Sequence, residues 1–309
     1  MKHFLQITDF TIEALQASLK RTKDYKDNRL STPLSLEKES WGLLFYKSST
    51  RTRVSFEVGV HELGGNPIVL NSQSTQIGRG ESVKDTAKVL SRYLHGLIIR
   101  AYDHSIVTEF AEHASMPIVN GLTDFNHPCQ IVTDIFSILE HLSPEAIDLN
   151  ALKDKKVVFY GDTASNMANS WILAAAYLEF DLVLAGPKGF EPTDSVLKAL
   201  QAQGLSPRHH FESNAEKASE AADVLYTDVW VSMGDEAEAS QRKQLLKDYQ
   251  VNQNALDRAN ENALFLHCLP AHIGEEVTQD VIEGPQSIVY DQAENRLHTQ
   301  KALLTQLKL

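Results

Sequence analysis

Short apolar runs alternate with helical patterns along this chain of 309 residues. In the first half, runs that predict strands lie near residues 42–46, 67–70, 96–100 and 117–119. In the second half, they lie at residues 156–160, 181–185, 223–227, 264–266 and 287–290. Segments with helical spacing separate them, for example residues 166–178. This alternation predicts an α/β fold with two doubly wound domains, each built on a parallel central sheet.

The alternation is interrupted once, by the polar segment 143–155. We therefore expect one domain over residues 1–142 and a second over residues 150–291. Residues 292–308 predict one further helix. The length is sufficient for two domains of ordinary size.

Composition excludes several classes of protein. The chain has 29 basic and 41 acidic residues, a net charge of −12, which argues against nucleic acid and anionic membranes as partners. No apolar run is long enough for a membrane span, and residues 1–5 do not resemble a secretory signal. Cys129 and Cys268 are the only cysteines, and they show no zinc-site spacing. These features favour a cytoplasmic protein without a disulfide framework.

Polar clusters follow the predicted strands. In open parallel sheets, ligands bind beyond the carboxyl ends of the strands. Five clusters have this position: residues 47–53, 100–104, 161–169, 228–234 and 267–272. We expect the functional residues among them.

The first cluster contains the sequence Ser-Thr-Arg-Thr-Arg at residues 49–53, between a predicted strand and a predicted helix. Free N–H groups and the positive end of the helix dipole favour anions at such a junction. Arg51 and Arg53 add donors that fit phosphate, although cations in a first turn oppose the dipole. An anionic ligand would resolve that conflict, so we prefer an anion site to a helix cap with solvated arginines.

The other clusters offer complementary groups. Arg100 ends a buried strand, and His127 and Gln130 lie one turn apart at a helix start, where they can bind a carbonyl group. Residues 228–234 combine Asp228 with a hydroxyl and a turn, which suits an amino acid. Cys268 lies directly after a predicted strand. It could act as a nucleophile or serve as a small polar side chain that lines a substrate site.

Two glycine-containing loops carry less information. Residues 161–166 resemble the turn of a dinucleotide-binding unit, but the full G-x-G-x-x-G pattern is absent, which disfavours a nicotinamide dehydrogenase. Residues 74–80 read as an ordinary mobile loop, with a lid over an anion as the alternative.

Together, four motifs closely resemble the aspartate/ornithine carbamoyltransferase superfamily. Ser-Thr-Arg-Thr at residues 49–52 and His-Pro-Cys-Gln at 127–130 match motifs shared across it. Asp-Val-Trp-Val-Ser-Met-Gly at 228–234 and His-Cys-Leu-Pro at 267–270 match its ornithine branch. The resemblance runs in the expected order from about residue 40 to the end of the sequence.

The resemblance implies a role for each matching residue. The residues that match the carbamoyl phosphate site are Ser49, Thr50, Arg51, Thr52, Gln76, Arg100, His127, Gln130, Cys268, Leu269 and Arg296. Those that match the ornithine site are Asn166, Asp228, Ser232 and Met233. Arg51, Arg100, His127 and Cys268 match the catalytic groups. Many relatives have asparagine where this chain has Ser165.

The family also implies an activity and an assembly: transfer of the carbamoyl group of carbamoyl phosphate to the δ-amine of L-ornithine, in the biosynthetic direction of arginine metabolism. It implies an active site in the interdomain cleft, a C-terminal helix (residues 292–309) packed on the first domain, and no metal or organic cofactor. Because the loop glutamine, Gln76, reaches a neighbouring site in the family, a homotrimer is expected. The alternatives are another amine acceptor, such as putrescine or an N-acylated ornithine, and a non-catalytic binding protein on the same fold.

Overall fold

The computed structural model describes residues 3–72, 80–231 and 239–309. The chain divides into two compact units. Unit 1 comprises Met1–Phe136 and Glu294–Leu309, and unit 2 comprises Ser137–Ala293. Each unit has a parallel sheet with helices, so the predicted α/β fold class is confirmed.

The secondary structure elements are numbered in chain order. The strands are β1 (Ser40–Phe45), β2 (Asn66–Asn71), β3 (Gly96–Arg100), β4 (Ile118–Leu122), β5 (Lys156–Tyr160), β6 (Asp181–Ala185), β7 (His209–Glu212), β8 (Val224–Thr227) and β9 (Leu264–His267). The helices are α1 (Ile12–Asp27), α2 (Thr50–Glu62), α3 (Val83–Leu90), α4 (His104–His113), α5 (Pro128–Leu142), α6 (Asn166–Leu178), α7 (Asp194–Ala202), α8 (Ala215–Ser219), α9 (Ala239–Leu246), α10 (Gln253–Arg258), α11 (Gln279–Ile282) and α12 (Val289–Lys308). Within the described residues, no helix combines the length and the apolar composition that a bilayer span requires.

The sheet of unit 1 has the order β2-β1-β3-β4, and all its pairs are parallel. Its two central strands carry fully buried side chains, among them Leu43 and Leu44 of β1 and Ile99 of β3. Strands buried on both faces read as continuous apolar runs. This is why the sequence pattern locates them.

The sheet of unit 2 has the order β7-β6-β5-β8-β9, again with parallel pairs. Aromatic rings join the sheet to α6, the helix at the predicted residues 166–178. The Trp171 ring packs edge-on against Tyr226, with ring centroids 5.2 Å apart, and Tyr226 stacks on Phe159 at 5.6 Å. Such pairs add roughly 0.5–1.5 kcal/mol beyond their burial, so they fix α6 on β5 and β8.

Both sheets change the direction of strand order between two neighbouring strands. In unit 1 the change lies between β1 and β3, and in unit 2 it lies between β5 and β8. The loops leaving such a pair diverge to opposite faces of the sheet and open a crevice at the carboxyl ends of the strands. The clusters at residues 47–53 and 100–104 leave one such pair, and those at 161–169 and 228–234 leave the other.

Two strand predictions are corrected by the structure. The edge strand β7 was not predicted, because His209, His210 and Glu212 leave it without an apolar run. Residues 287–290 were predicted as a strand, and this is wrong: α12 already begins at Val289, and Ser287 forms only an isolated bridge to Phe265. The short apolar run at these residues is buried because it forms the start of a helix, not because it forms a strand.

Candidate active site

The anion site predicted at residues 49–53 lies at the N-terminus of α2. Ser49 is the N-cap in extended backbone geometry, and its Oγ accepts a hydrogen bond from the Thr52 N–H at 3.2 Å. The cap fixes the first turn, whose N–H groups and dipole favour negative charge. Thr50 and Arg51 are exposed in this turn. A guanidinium beside the positive end of a helix can bind an anionic ligand there.

Two further guanidiniums converge on the side chain of Thr52. This threonine is buried, and its Oγ1 lies 3.4 Å from Nη1 of Arg100 and 3.4 Å from Nη2 of Arg296. Arg100 ends β3, whereas Arg296 comes from α12. Residues 244 positions apart in sequence thus build one cationic cluster.

The amide of Gln130 joins the same cluster from α5. Its Oε1 accepts a hydrogen bond from Nη1 of Arg296, and its Nε2 donates to Oδ1 of Asp134 at 2.7 Å. Both Gln130 and Asp134 are buried. The network holds the Arg296 guanidinium in a defined orientation beside Thr52. A rigid donor of this kind suits an oxyanion or a phosphate.

His127 lies directly before α5 and is 5% exposed. Burial, together with the positive charges of Arg296 and Arg100, holds the pKa of His127 well below its usual range. The ring is therefore neutral at physiological pH. A neutral imidazole is a hydrogen-bond donor to a carbonyl oxygen, not a counter-charge.

Arg53 does not belong to this cluster. Its Nε lies 3.2 Å from Oε2 of Glu57, one turn along α2, in an exposed ion pair. The sequence pattern predicted an anionic ligand as the counter-charge of both arginines in the first turn. For Arg53, the structure shows Glu57 as an alternative partner.

In unit 2, the loop after β5 leads into α6. Asn166 is the first residue of α6 and is half-buried, and the preceding Ser165 caps the helix by accepting a hydrogen bond from Ala168 N–H at 3.2 Å. A serine is among the best N-cap residues. Ser165 therefore has a structural role as the N-cap of α6.

Asp228 and Cys268 meet beyond the ends of β8 and β9. The Cys268 Sγ donates a hydrogen bond to Oδ1 of Asp228 at 2.9 Å, and the same oxygen accepts from the Val229 N–H at 2.8 Å. Negative charge on this sulfur would lie beside a carboxylate, and like charges so close repel. The contact therefore favours Cys268 as a polar side chain that lines the site over Cys268 as a nucleophile.

Leu269 continues the same loop with a left-handed backbone, φ 55°. A residue with a side chain in this region costs of order 1–3 kcal/mol and persists only where its surroundings enforce it. Its N–H donates to Nδ1 of His267 at 2.8 Å. The loop that holds Cys268 and Leu269 is thus fixed by its own hydrogen bonds.

Arg242 was not predicted from the sequence, although it joins two of the predicted loops. Its guanidinium pairs with the Asp162 carboxylate, and its Nε donates to the Trp230 carbonyl at 3.1 Å. Asp162 follows β5 and Trp230 follows β8, so the contact ties together the loops that leave the strand-order change of unit 2. Arg242 lies 80 residues from Asp162 in a polar helix, and no local pattern marks it.

Three predicted site residues, Gln76, Ser232 and Met233, lie outside the described residues. Among the described residues, the ligand atoms of Asp228, His267 and Cys268 lie within 4.8 Å of one another. Both ring nitrogens of His267 are already hydrogen-bonded, however, Nδ1 to Leu269 and Nε2 to Glu276. This cluster therefore matches a hydrogen-bonded loop better than a metal centre.

The fold and the site geometry define an α/β protein with ligand sites at the strand-order changes of its sheets, and one of these sites is built for an anion. Comparison with known families is specific. Residues 2–140 match the carbamoyl-P binding domain of aspartate/ornithine carbamoyltransferase, and residues 153–307 match its Asp/Orn binding domain. The chain belongs to the aspartate/ornithine carbamoyltransferase family.

Individual relatives agree with this assignment. The ornithine carbamoyltransferase of Methanosphaera stadtmanae is 47% identical over 306 residues, with 98% of each chain covered. The structure of ornithine carbamoyltransferase from Pyrococcus furiosus is 43% identical, with a TM-score of 0.88 over 98% of this chain and 96% of that one. Anabolic ornithine carbamoyltransferase from Campylobacter jejuni is 33% identical, with a TM-score of 0.89 over 100% and 99%.

Proposed function

We propose that this protein is an ornithine carbamoyltransferase that converts L-ornithine and carbamoyl phosphate to L-citrulline and phosphate. One observation carries the proposal: Arg100 and Arg296 converge on Thr52 beside the capped N-terminus of α2. Thr52 and Arg100 lie in the part of the chain that matches a carbamoyl-P binding domain, and Arg296 joins them from α12. The match of unit 2 to an Asp/Orn binding domain and the ornithine carbamoyltransferases among the relatives support the acceptor.

In the proposed reaction, the neutral δ-amine of ornithine attacks the carbonyl carbon of carbamoyl phosphate. A C–N bond forms, negative charge develops on the carbonyl oxygen, and the bond from carbon to the phosphate oxygen then breaks. Arg100, Thr52 and the neutral ring of His127 are donors suited to that oxygen. The phosphate leaves beside Arg51 and the α2 N-terminus and takes up the proton that the attacking nitrogen loses.

Catalysis by this site would consist largely of binding and orienting two substrates. Well-oriented reactants gain up to roughly 7–11 kcal/mol over reaction in solution. Phosphate is already a good leaving group, so the proposed steps use only side chains and backbone groups of the chain. The amine of ornithine must lose its proton first, although an alkylammonium ion has a pKa of about 10.4 in water. Desolvation beside Cys268 favours the neutral amine.

For the acceptor, Asp228 suits an ammonium group, and we propose that Asn166, Ser232 and Met233 complete the recognition of a free amino acid. Gln76, Gln130 and Leu269 complete the carbamoyl phosphate site in the same proposal. Putrescine lacks the carboxylate, and an N-acylated ornithine lacks the α-ammonium group. Both are therefore expected to be poor acceptors.

We place the reaction in arginine biosynthesis, because carbamoyl phosphate is an activated donor and the similar Campylobacter jejuni protein is described as anabolic. Both cysteines are free thiols, which suits the cytoplasm. We further propose a homotrimer in which Gln76 acts at a neighbouring site. The domain limits 1–142 and 150–291, with residues 292–309 assigned to the first domain, remain predictions.

An acceptor panel tests the proposal. Ornithine, putrescine, N-acetylornithine and aspartate are each incubated with carbamoyl phosphate, and the ureido product is quantified. We expect citrulline from ornithine at a rate at least a hundredfold above that of any other product. A faster reaction with another acceptor would reassign the substrate, and binding of both ligands without any product would establish a binding protein instead. Light scattering reports the mass of the assembly.

A further inference from the structure

A buried histidine–glutamate pair lies behind the loop that carries Cys268 and Leu269. His267 is 1% exposed and Glu276 is fully buried. Nε2 of His267 lies 3.2 Å from Oε1 of Glu276, and its Nδ1 lies 2.8 Å from the Leu269 nitrogen. The resemblance assigned no role to either side chain, and the proposed chemistry uses neither.

The hydrogen bonds define the protonation of the ring. A backbone N–H can only donate, so Nδ1 of His267 accepts from Leu269 and carries no proton. The proton of the neutral ring is then on Nε2, where it faces the Glu276 carboxylate. A charged imidazolium would place a second proton at Nδ1, against the Leu269 N–H. The carboxylate therefore selects the tautomer that can hold the Leu269 backbone.

Glu276 is itself anchored. Its Oε1 also accepts a hydrogen bond from the His272 N–H at 2.6 Å, and its backbone carbonyl accepts from the Val251 N–H at 2.9 Å. At the other end of the loop, the His267 N–H donates to Oε1 of the buried Gln292 at 3.0 Å. The Glu276 carboxylate thus connects the His267 side chain, at the end of β9, with the His272 backbone in the following loop, while its own backbone is held by Val251.

Cys268 lies between the two residues that this network fixes. Leu269 keeps its left-handed backbone through the bond to His267. That geometry directs the Cys268 side chain, whose Sγ reaches Asp228 at 2.9 Å. If Leu269 relaxed to a common backbone conformation, the direction of the Cys268 side chain would change.

We infer that Glu276, acting through His267, is a positioning residue for the acceptor site: it fixes the ring that holds Leu269 and thereby aims Cys268 at Asp228. The inference rests on the proposed function for its kinetic consequence but not for its structural one. Glu276 itself touches no substrate in this scheme.

The test compares three substitutions of Glu276 with one matched control. Glu276→Gln keeps the position of Oε1 as an acceptor, Glu276→Asp withdraws the carboxylate by one methylene, and Glu276→Ala removes the acceptor. The control is Glu275→Ala, because the neighbouring Glu275 side chain pairs with Lys243, with Oε1 and Nζ 2.5 Å apart, and makes no hydrogen bond to His267 or Leu269 in the described residues.

The first readout is the rate at which iodoacetamide alkylates Cys268, followed by peptide mass spectrometry. Buried Cys129 serves as the internal reference for global unfolding. We expect Glu276→Ala and Glu276→Asp to raise the Cys268 rate at least fivefold, because the thiol leaves Asp228. Glu276→Gln and Glu275→Ala should stay within twofold of the unmodified protein. If Glu276→Ala does not fold, the alkylation rate of Cys268 in Glu276→Asp is compared with that in Glu276→Gln, and this comparison tests the inference.

The second readout is a split in steady-state constants. The KM for ornithine should rise at least fivefold in Glu276→Asp, while the KM for carbamoyl phosphate stays within twofold. A Glu276→Asp variant that matches Glu275→Ala in alkylation and in both KM values would overturn the inference. If the unmodified protein forms no citrulline, the proposed function fails, and the alkylation series still decides on the positioning role.

Discussion

At the scale of single residues, Arg51 and Arg53 present nearly the same sequence context but different surroundings. Arg51 is exposed at the start of α2, whereas Arg53 is paired with Glu57. We expect Arg51→Ala to lower kcat/KM about a hundredfold or more, since it removes a donor from the leaving phosphate. Arg53→Ala, the matched control, should change it less than about threefold, because it breaks only an exposed pair. Steady-state assays with circular dichroism check both.

Two results would contradict the prediction for Arg51. A folded Arg51→Ala protein with nearly normal kcat/KM would remove phosphate binding from the α2 N-terminus. Equal losses in both variants would mean that Arg53 exchanges Glu57 for the ligand during turnover.

Cys268 provides a second prediction at this scale. Because its Sγ already donates to Asp228, we expect Cys268→Ala to lower kcat about tenfold without abolishing turnover; the magnitude is that of a lost hydrogen bond, about 1–1.5 kcal/mol. Mass spectrometry of the quenched reaction should show no adduct. A carbamoylated Cys268 that forms and decays at the rate of turnover would establish a nucleophile instead.

His127 predicts a pH dependence of stability. Burial and the charges of Arg296 and Arg100 lower its folded-state pKa below the value of about 6.5 in the unfolded chain. The unfolded state therefore takes up a proton first as pH falls, so the contribution is complete above about pH 6.5 and is lost below it. The loss is at most about 1.4 kcal/mol per pH unit.

Denaturant unfolding at pH 7.5 and 5.5 measures this contribution. We expect His127→Gln to have a shallower dependence of the unfolding free energy on pH than the unmodified protein. His61→Gln, at an exposed position on α2, is the matched control for the substitution itself. An unaltered dependence in His127→Gln would contradict the account of the buried neutral ring.

Much of the site could be predicted from residues alone, because its groups follow strands in a parallel α/β pattern. Thr52, Arg100, Gln130 and Arg296 come from separate segments, and the structure brings them together. The pair of Arg53 with Glu57 was also readable, since oppositely charged residues four apart on a helix interact. The contact of Arg242 with Asp162 was not, because it depends on how distant loops fold.

At the scale of elements, α12 carries Arg296 into the cationic cluster and must be held in register. Lys301, fully buried on the same helix, pairs with Glu62 of α2, with Nζ and Oε2 2.7 Å apart. Lys308, near the end of the helix, has an exposed side chain that pairs with Glu39 at 2.6 Å and also donates to the Ser35 carbonyl. The two lysines therefore make a matched comparison of buried and exposed pairs on one helix.

We expect Lys301→Ala to lower the free energy of unfolding by about 2–3 kcal/mol, because it removes the buried partner of a carboxylate that keeps Arg29 as a second partner. Lys308→Ala should cost less than about 1 kcal/mol. Denaturant titrations measure both. The KM for carbamoyl phosphate should rise only in Lys301→Ala, since α12 positions Arg296. Equal costs in the two variants would show that burial of the pair does not matter.

The elements themselves were predicted with uneven success, for physical reasons. Strands buried on both faces, such as β1, β3 and β5, form apolar runs that stand out in the sequence. The edge strand β7 has one solvent-exposed side and lacks such a run. At residues 287–290, the short apolar run matched a strand or a buried helix start equally well.

At the scale of the whole molecule, a strongly acidic chain contains a local cationic site. The net charge is −12, yet Arg51, Arg100 and Arg296 all lie in unit 1, whose residues up to Phe136 match a carbamoyl-P binding domain. Because the chain as a whole is acidic, its overall composition does not explain why three guanidiniums lie in this unit. The division into two α/β units could be predicted from the alternation of apolar runs and helical patterns.

The most direct test of the proposed activity follows the carbamoyl group itself. Carbamoyl phosphate labelled with ¹³C at the carbonyl carbon is incubated with L-ornithine and the protein, and labelled citrulline and phosphate are quantified together. We predict that the two products appear above the uncatalysed background in a ratio of one to one, and that Arg51→Ala forms both at a rate lower by about a hundredfold or more. Release of phosphate without labelled citrulline would contradict carbamoyl transfer to ornithine.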